Sequence, residues 1–87
     1  MLSTLVLTIQ PVSAASATGD RYSQLMEQGK QAEAAGKSDE AIARYQEALR
    51  IKPGSALVQT RLAEVYFNRK DFEKAFEYWD RVLGKPS

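Results

Sequence analysis

Gly36-Lys37-Ser38 is the one tripeptide whose residue types match the end of a phosphate-binding loop, where backbone N–H groups and a lysine hold the phosphates. That loop needs another glycine five residues before Gly36, and Gln31 stands there. A helical pattern also precedes the tripeptide where the loop requires a strand. It therefore reads as an inter-helix turn followed by a capping serine. The carboxylates Asp39, Glu40, Glu73, Glu77 and Asp80 are scattered along outer helix faces, without the spacing of a calcium loop. The chain has no histidine, which removes the commonest general base and metal ligand. It has no cysteine either, so thiol chemistry and disulfides are absent. These residues assemble no nucleophile–base pair and no metal cluster. The chain is read as a non-enzyme with no catalytic residue, no metal and no cofactor.

At 87 residues there is room for one small domain, which can bury about 60 % of the surface that its unfolded chain exposes. The 44 % hydrophobic and 26 % charged fractions are those of a globular protein, too apolar for disorder and too interrupted by charge for a membrane bundle. A net charge of +1, from 12 basic and 11 acidic residues, offers no broad basic surface for phosphates. Nucleic acid is not an expected partner, and no integral membrane span is expected.

Leu2 to Ile9 is dominated by Leu, Val, Ile and Thr, then come Pro11 and small residues up to Ala15-Ser16-Ala17. That order resembles a secretory signal peptide with an A-x-A cleavage site, although no Lys or Arg precedes the apolar stretch. The run is too short to cross a bilayer, which takes about 20 residues. Residues 1–17 are thus expected to be a leader or a disordered arm, and residues 18–87 the folded domain. With the leader functional, the protein is exported, periplasmic or secreted and begins at Thr18; otherwise it stays in the cytoplasm.

The elements that position everything else follow from a repeat. Sliding the chain along itself by 34 residues aligns Ala41 with Ala75, Ile42 with Phe76, Tyr45 with Trp79, Ala48 with Val82 and Leu49 with Leu83. Small falls on small and large on large, with Val82 the one mild exception, and Gly29 falls on Ala63 in the segment before. Phe72, Ala75, Phe76, Trp79, Val82 and Leu83 lie at i, i+3, i+4, i+7, i+10 and i+11, one apolar helical stripe. Gly36 and Pro53-Gly54 break the pattern, and Ser55 and Asp71 stand where N-caps belong. The spacing predicts helices over 20–35, 38–51, 56–69 and 72–83. At helical spacing, Phe72, Phe76 and Trp79 are expected to be core. Glu33 with Lys37, Glu40 with Arg44 and Glu77 with Arg81 are i, i+4 pairs in the favourable order.

These residues resemble the tetratricopeptide repeat family. The first unit, 22–55, matches its pattern at Leu25, Gly29, Gly36, Ala41, Tyr45, Ala48 and Pro53. The second, 56–87, matches at Leu62, Ala63, Tyr66, Ala75 and Trp79. Gln28, Ala32, Val82 and Pro86 depart from it. The resemblance implies an all-α fold, two antiparallel helix-turn-helix hairpins stacked as a short right-handed α-solenoid. Gly29 and Ala41, like Ala63 and Ala75, then sit where helices cross and a larger side chain would force the axes apart. Tyr45 and Trp79 fill the space between hairpins.

The resemblance also implies a concave face lined by the first helix of each pair: Ser23, Met26, Lys30 and Glu33, then Leu57, Thr60, Glu64 and Phe67. Met26, Leu57 and Phe67 would form an apolar strip that an amphipathic segment could cover, or that packs against the N-terminal arm. Lys30 and Arg61 would attract an acidic peptide. Family members that clamp the C-terminal carboxylate of heat-shock chaperones carry Lys and Asn residues where Met26, Lys30 and Arg61 stand here, so that ligand is not expected. The expected role is a protein-binding adaptor or scaffold in an exported or envelope complex. The alternative is a homo-oligomer, stacking through the outer side of Phe72, Phe76 and Leu83.

Overall fold

A computed structural model describes residues 17–84 as four helices: α1 (Ala17–Ala34), α2 (Ser38–Ile51), α3 (Ala56–Asn68) and α4 (Phe72–Leu83). Among the described residues there is no strand, and the fold is all-α. The signal-like segment up to Ser16 and the departure at Pro86 lie outside the described residues.

The loops explain why the helices stop where they do. α1 ends with Gly36 in the left-handed region (φ 77°), the Gly36 N–H donating to the Glu33 carbonyl (3.0 Å) and the Lys37 N–H to the Ala32 carbonyl (2.8 Å). This pairing satisfies carbonyls that the helix end would otherwise leave free. α3 ends the same way one repeat later, with Lys70 at φ 67° and the Lys70 and Asp71 N–H groups donating to Phe67 and Tyr66. A glycine takes that conformation freely; a lysine there costs about 1 kcal/mol or more. Ser55 caps α3 as expected, its Oγ accepting from the Val58 N–H (3.2 Å). Ser38 and Asp71 do not cap: Ser38 is the first helical residue of α2, and neither Lys37 nor Asp71 makes a side-chain cap bond. In both places the preceding chain reversal is already closed by backbone hydrogen bonds.

α1 packs on α2, α3 on α4, and α2 on α3, so two hairpins stack in chain order. Their shared core runs from Leu25 and Met26 through Tyr45 to Val58, Leu62 and Val65. The small residues sit at the contacts, with Ala41, Ala48, Ala63 and Ala75 fully buried. Gly29 faces the ring of Tyr45 so closely that a Cβ there would lie 2.7 Å from Cδ1 and 2.8 Å from Cζ. Tyr45 is itself fully buried and donates its hydroxyl to Glu33. That bond takes Glu33 away from Lys37, the partner its spacing suggested, and Arg44 pairs with Glu47 (3.3 Å) where Glu40 was expected. The Glu77–Arg81 pair does form, at 3.5 Å.

The second hairpin differs from expectation at its outer side. Trp79 is only partly buried, while Phe72 is exposed and Phe76 is 53 % exposed. The apolar stripe of α4 is wider than α3 can cover: Ala75 takes the buried position and Phe72, Phe76 and Leu83 are left facing outward.

Candidate functional site

α3 buries Val58, Leu62 and Val65 on one side and turns Leu57, Thr60, Glu64 and Phe67 to the other. Leu57 is 55 % exposed and Phe67 44 %, while Thr60 between them is half-buried and Glu64 exposed. Ten residues of helix separate the two apolar side chains by about 15 Å. They are therefore two separate anchor points with polar surface between them.

On α1, Ser23 and Lys30 are exposed and Glu33 is half-buried. Met26 is not on the surface. It is 7 % exposed and belongs to the core with Leu25. A flexible, unbranched apolar side chain gains about 1.5 to 3 kcal/mol by burial, and beside Leu25 the core is within its reach. The apolar strip expected from three residues is thus carried by the two on α3.

Lys30, Glu33, Ala34 and Arg61 line an open hollow of about 350 Å³ between α1 and α3. Two cations and a carboxylate from different hairpins are brought together there, and Arg61 also reaches Glu64 at 3.6 Å. Glu33 is held in place by the Tyr45 hydroxyl. Burial, and then the bond to Glu33 and its negative charge, push the Tyr45 phenol well above its ordinary value, so it stays a neutral donor at physiological pH. Burial also raises the Tyr66 phenol. The hollow can offer cations to an acidic or carbonyl-rich segment, flanked by the apolar ends of α3.

The Gly36-Lys37-Ser38 turn borders a smaller hollow of about 240 Å³ with Glu33, Val65, Asn68 and Arg69. Arg69 is already paired with Asp39 at its edge. Among the described residues no group of three or more acidic, His or Cys side chains converges for a metal.

A third surface joins Phe72, Phe76 and Trp79, which the spacing predicts to be core, to Phe67 of the α3 strip. Phe67 touches Phe72 (ring centroids 5.0 Å) and Trp79 (5.6 Å), and Phe76 touches Phe72 (6.5 Å) and Trp79 (6.0 Å). The four rings form one aromatic sheet at the outer side of the second hairpin. Its signal lies in the repeat itself: Ile42, Tyr45 and Leu49 have a following helix, α3, whereas Phe76, Trp79 and Leu83 have none among the described residues.

The family model for the tetratricopeptide repeat matches residues 25–83, both hairpins. Among curated proteins, Surface lipoprotein assembly modifier 1 of Neisseria meningitidis serogroup B is 32 % identical over 80 residues, 92 % of this chain and 16 % of that protein. The General transcriptional corepressor trfA of Dictyostelium discoideum is 36 % identical over 55 residues, 63 % of this chain and 4 % of that protein. The chain thus spans less than a fifth of either relative, and the names of the two describe unrelated work. No solved structure matches. No helix among the described residues is long and apolar enough to cross a membrane.

Proposed function

The chain belongs to the tetratricopeptide repeat family, and from that premise we propose that it is an adaptor or scaffold which binds a peptide or helix of a partner protein across α1 and α3, in the assembly of an exported or envelope complex. The observation that carries the binding reading is the exposure of Leu57 and Phe67 on the outward side of α3, next to the hollow formed by Lys30, Glu33 and Arg61. Exposed apolar anchors beside convergent charges suit a short peptide, whose backbone and acidic groups the cations meet while its apolar side chains cover the anchors. The envelope setting is supported by the name of the meningococcal relative and by the signal-like order of Leu2–Ile9 and Ala15-Ser16-Ala17.

Two measurements test these halves separately. N-terminal sequencing of the protein from its host should begin at Thr18, and intact Met1 in a cytosolic fraction would remove the export half. For binding, a partner recovered by affinity capture is titrated calorimetrically against Leu57→Ala and Phe67→Ala. Each truncation should weaken affinity about tenfold or more, since a buried Leu or Phe contributes about 1.5 to 3 kcal/mol. Leu57→Ala should leave the melting temperature nearly unchanged, and Phe67→Ala should lower it modestly through its contacts with Phe72 and Trp79. Unchanged affinity in both variants removes the α1/α3 face as the binding surface.

A further inference from the structure

The hollow between α1 and α3 holds more negative charge than its two cations suggest. Lys30 and Glu33 stand three residues apart on one side of α1, and Arg61 faces them from α3 with Glu64 at 3.6 Å. Two positive and two negative groups therefore meet at one open space of about 350 Å³. Arg61 is already engaged by Glu64, whereas Lys30 and Glu33 form no ion pair among the described residues. Glu33 is half-buried, and its Oε2 accepts from the Tyr45 hydroxyl while its Oε1 accepts no hydrogen bond among the described residues. Tyr45 reaches it from α2, fully buried, with room for its ring because Gly29 carries no side chain. A neutral hydroxyl fixes where the carboxylate points and leaves its charge in place.

We infer that this hollow takes the side-chain amide of an asparagine or glutamine from an extended partner segment, a contact that rests on α1 and α3 being the binding face. The amide oxygen accepts from Lys30, and the amide N–H donates to the open Oε1 of Glu33. Charge selects this group over the ionised ones. An acidic side chain gains from Lys30 but lies against Glu33 and Glu64, and a basic one gains from Glu33 but lies against Lys30 and Arg61. With the net charge cancelled, the field left across the hollow runs from Lys30 to Glu33, and a primary amide matches it with an acceptor and two donors in one rigid plane. It also gives up less hydration on entering than an ionised group does. The apolar anchors set the spacing of the segment. Leu57 and Phe67 lie about 15 Å apart along α3, with Arg61 and Glu64 between them. In an extended chain, side chains i and i+4 point to one side about 13 Å apart, close to that separation, and i+2 points the same way midway between them. The recognised segment therefore has apolar side chains at i and i+4 and the amide at i+2.

The test titrates the full chain with short acetylated and amidated peptides that carry leucine at i and i+4, serine elsewhere, and glutamine, glutamate or lysine at i+2. Binding is followed by the NMR shifts of the backbone amides of Lys30, Glu33, Leu57 and Phe67. The glutamine peptide should bind roughly threefold to tenfold more tightly than either charged one, the worth of one net hydrogen bond. Glu33→Gln leaves the cations in excess and should move the preference to the glutamate peptide, and Lys30→Gln should move it to the lysine peptide. Tyr45→Phe keeps the ring and loses only the hydroxyl, so the glutamine preference should fall while the circular dichroism stays helical. A carboxylate that merely satisfies a buried hydroxyl would give Glu33→Gln a changed melting temperature and an unchanged ranking of the peptides, and that result overturns the proposal. So does a parent protein that binds all three alike or prefers a charged peptide. Leu57→Ala tells this failure from a failure of the binding face, because it should weaken all three peptides equally and keep their order. If the peptides bind and Leu57→Ala leaves them unaffected, or if none of them shifts any of the four amides, the α1/α3 face itself is excluded and the amide contact with it.

Discussion

Gly29→Ala is expected to destabilise the fold, although the same change in most helices stabilises by about 0.5 to 1 kcal/mol. The reason is the ring of Tyr45, which a Cβ at this position would approach to 2.7 Å at Cδ1 and 2.8 Å at Cζ. The ring cannot step aside cheaply, because Tyr45 is fully buried and its hydroxyl is tied to Glu33. Overpacking of this kind costs about 1 to 3 kcal/mol, which outweighs the gain in propensity. Tyr45→Ala is expected to cost still more, about 3 to 5 kcal/mol for an aromatic core truncation, most of the stability of a domain this small. The coupling is the sharper test. In a Tyr45→Leu background the added methyl of Gly29→Ala no longer meets a ring, and its penalty should shrink or change sign. Urea midpoints of the two single variants and the double variant decide the matter. A Gly29→Ala protein more stable than the parent would mean that α1 and α2 are not held at this separation.

The second large effect sets two neighbours against each other. Ala75 is fully buried and Phe76 is half-exposed. Ala75→Leu adds three carbons to a closed contact between α3 and α4 and should cost about 1 to 3 kcal/mol. Phe76→Ala removes a larger side chain, yet about half of that ring is already in water, so the loss should stay below about 2 kcal/mol. Helical spacing alone ranks the two the other way, since a core phenylalanine truncated to alanine costs about 3 to 5 kcal/mol. Thermal melts of both variants distinguish the rankings. If Phe76→Ala is the more damaging, the outer side of α4 is covered in solution.

The helices themselves were legible in the residues. The 34-residue offset, the breaks at Gly36 and Pro53-Gly54, and the capping Ser55 each act locally or through close packing, and such signals survive in a one-dimensional pattern. α1 starts three residues earlier than the spacing predicts, at Ala17, where small residues give no boundary signal. What did not survive is direction and cover. Met26 occupies the expected helix face, but its side chain enters the core, and no spacing rule distinguishes a flexible apolar chain that reaches inward from one that stays out. The stripe of Phe72, Phe76 and Leu83 shows that a side is apolar and says nothing about whether another element lies over it. Glu33 looked free for Lys37 or a ligand until Tyr45, twelve residues away, claimed it. These are long-range facts, and the candidate site depends on them more than the fold does.

The uneven depth of the two hairpins has a consequence for motion. α3 buries five side chains, Val58, Leu62, Ala63, Val65 and Tyr66, while α4 buries Ala75 alone. In a stack where each helix leans only on its neighbours, local opening starts where the least surface is lost. Backbone amides of α4 therefore exchange with solvent deuterium faster than those of α2 and α3, through fraying that leaves the first hairpin closed.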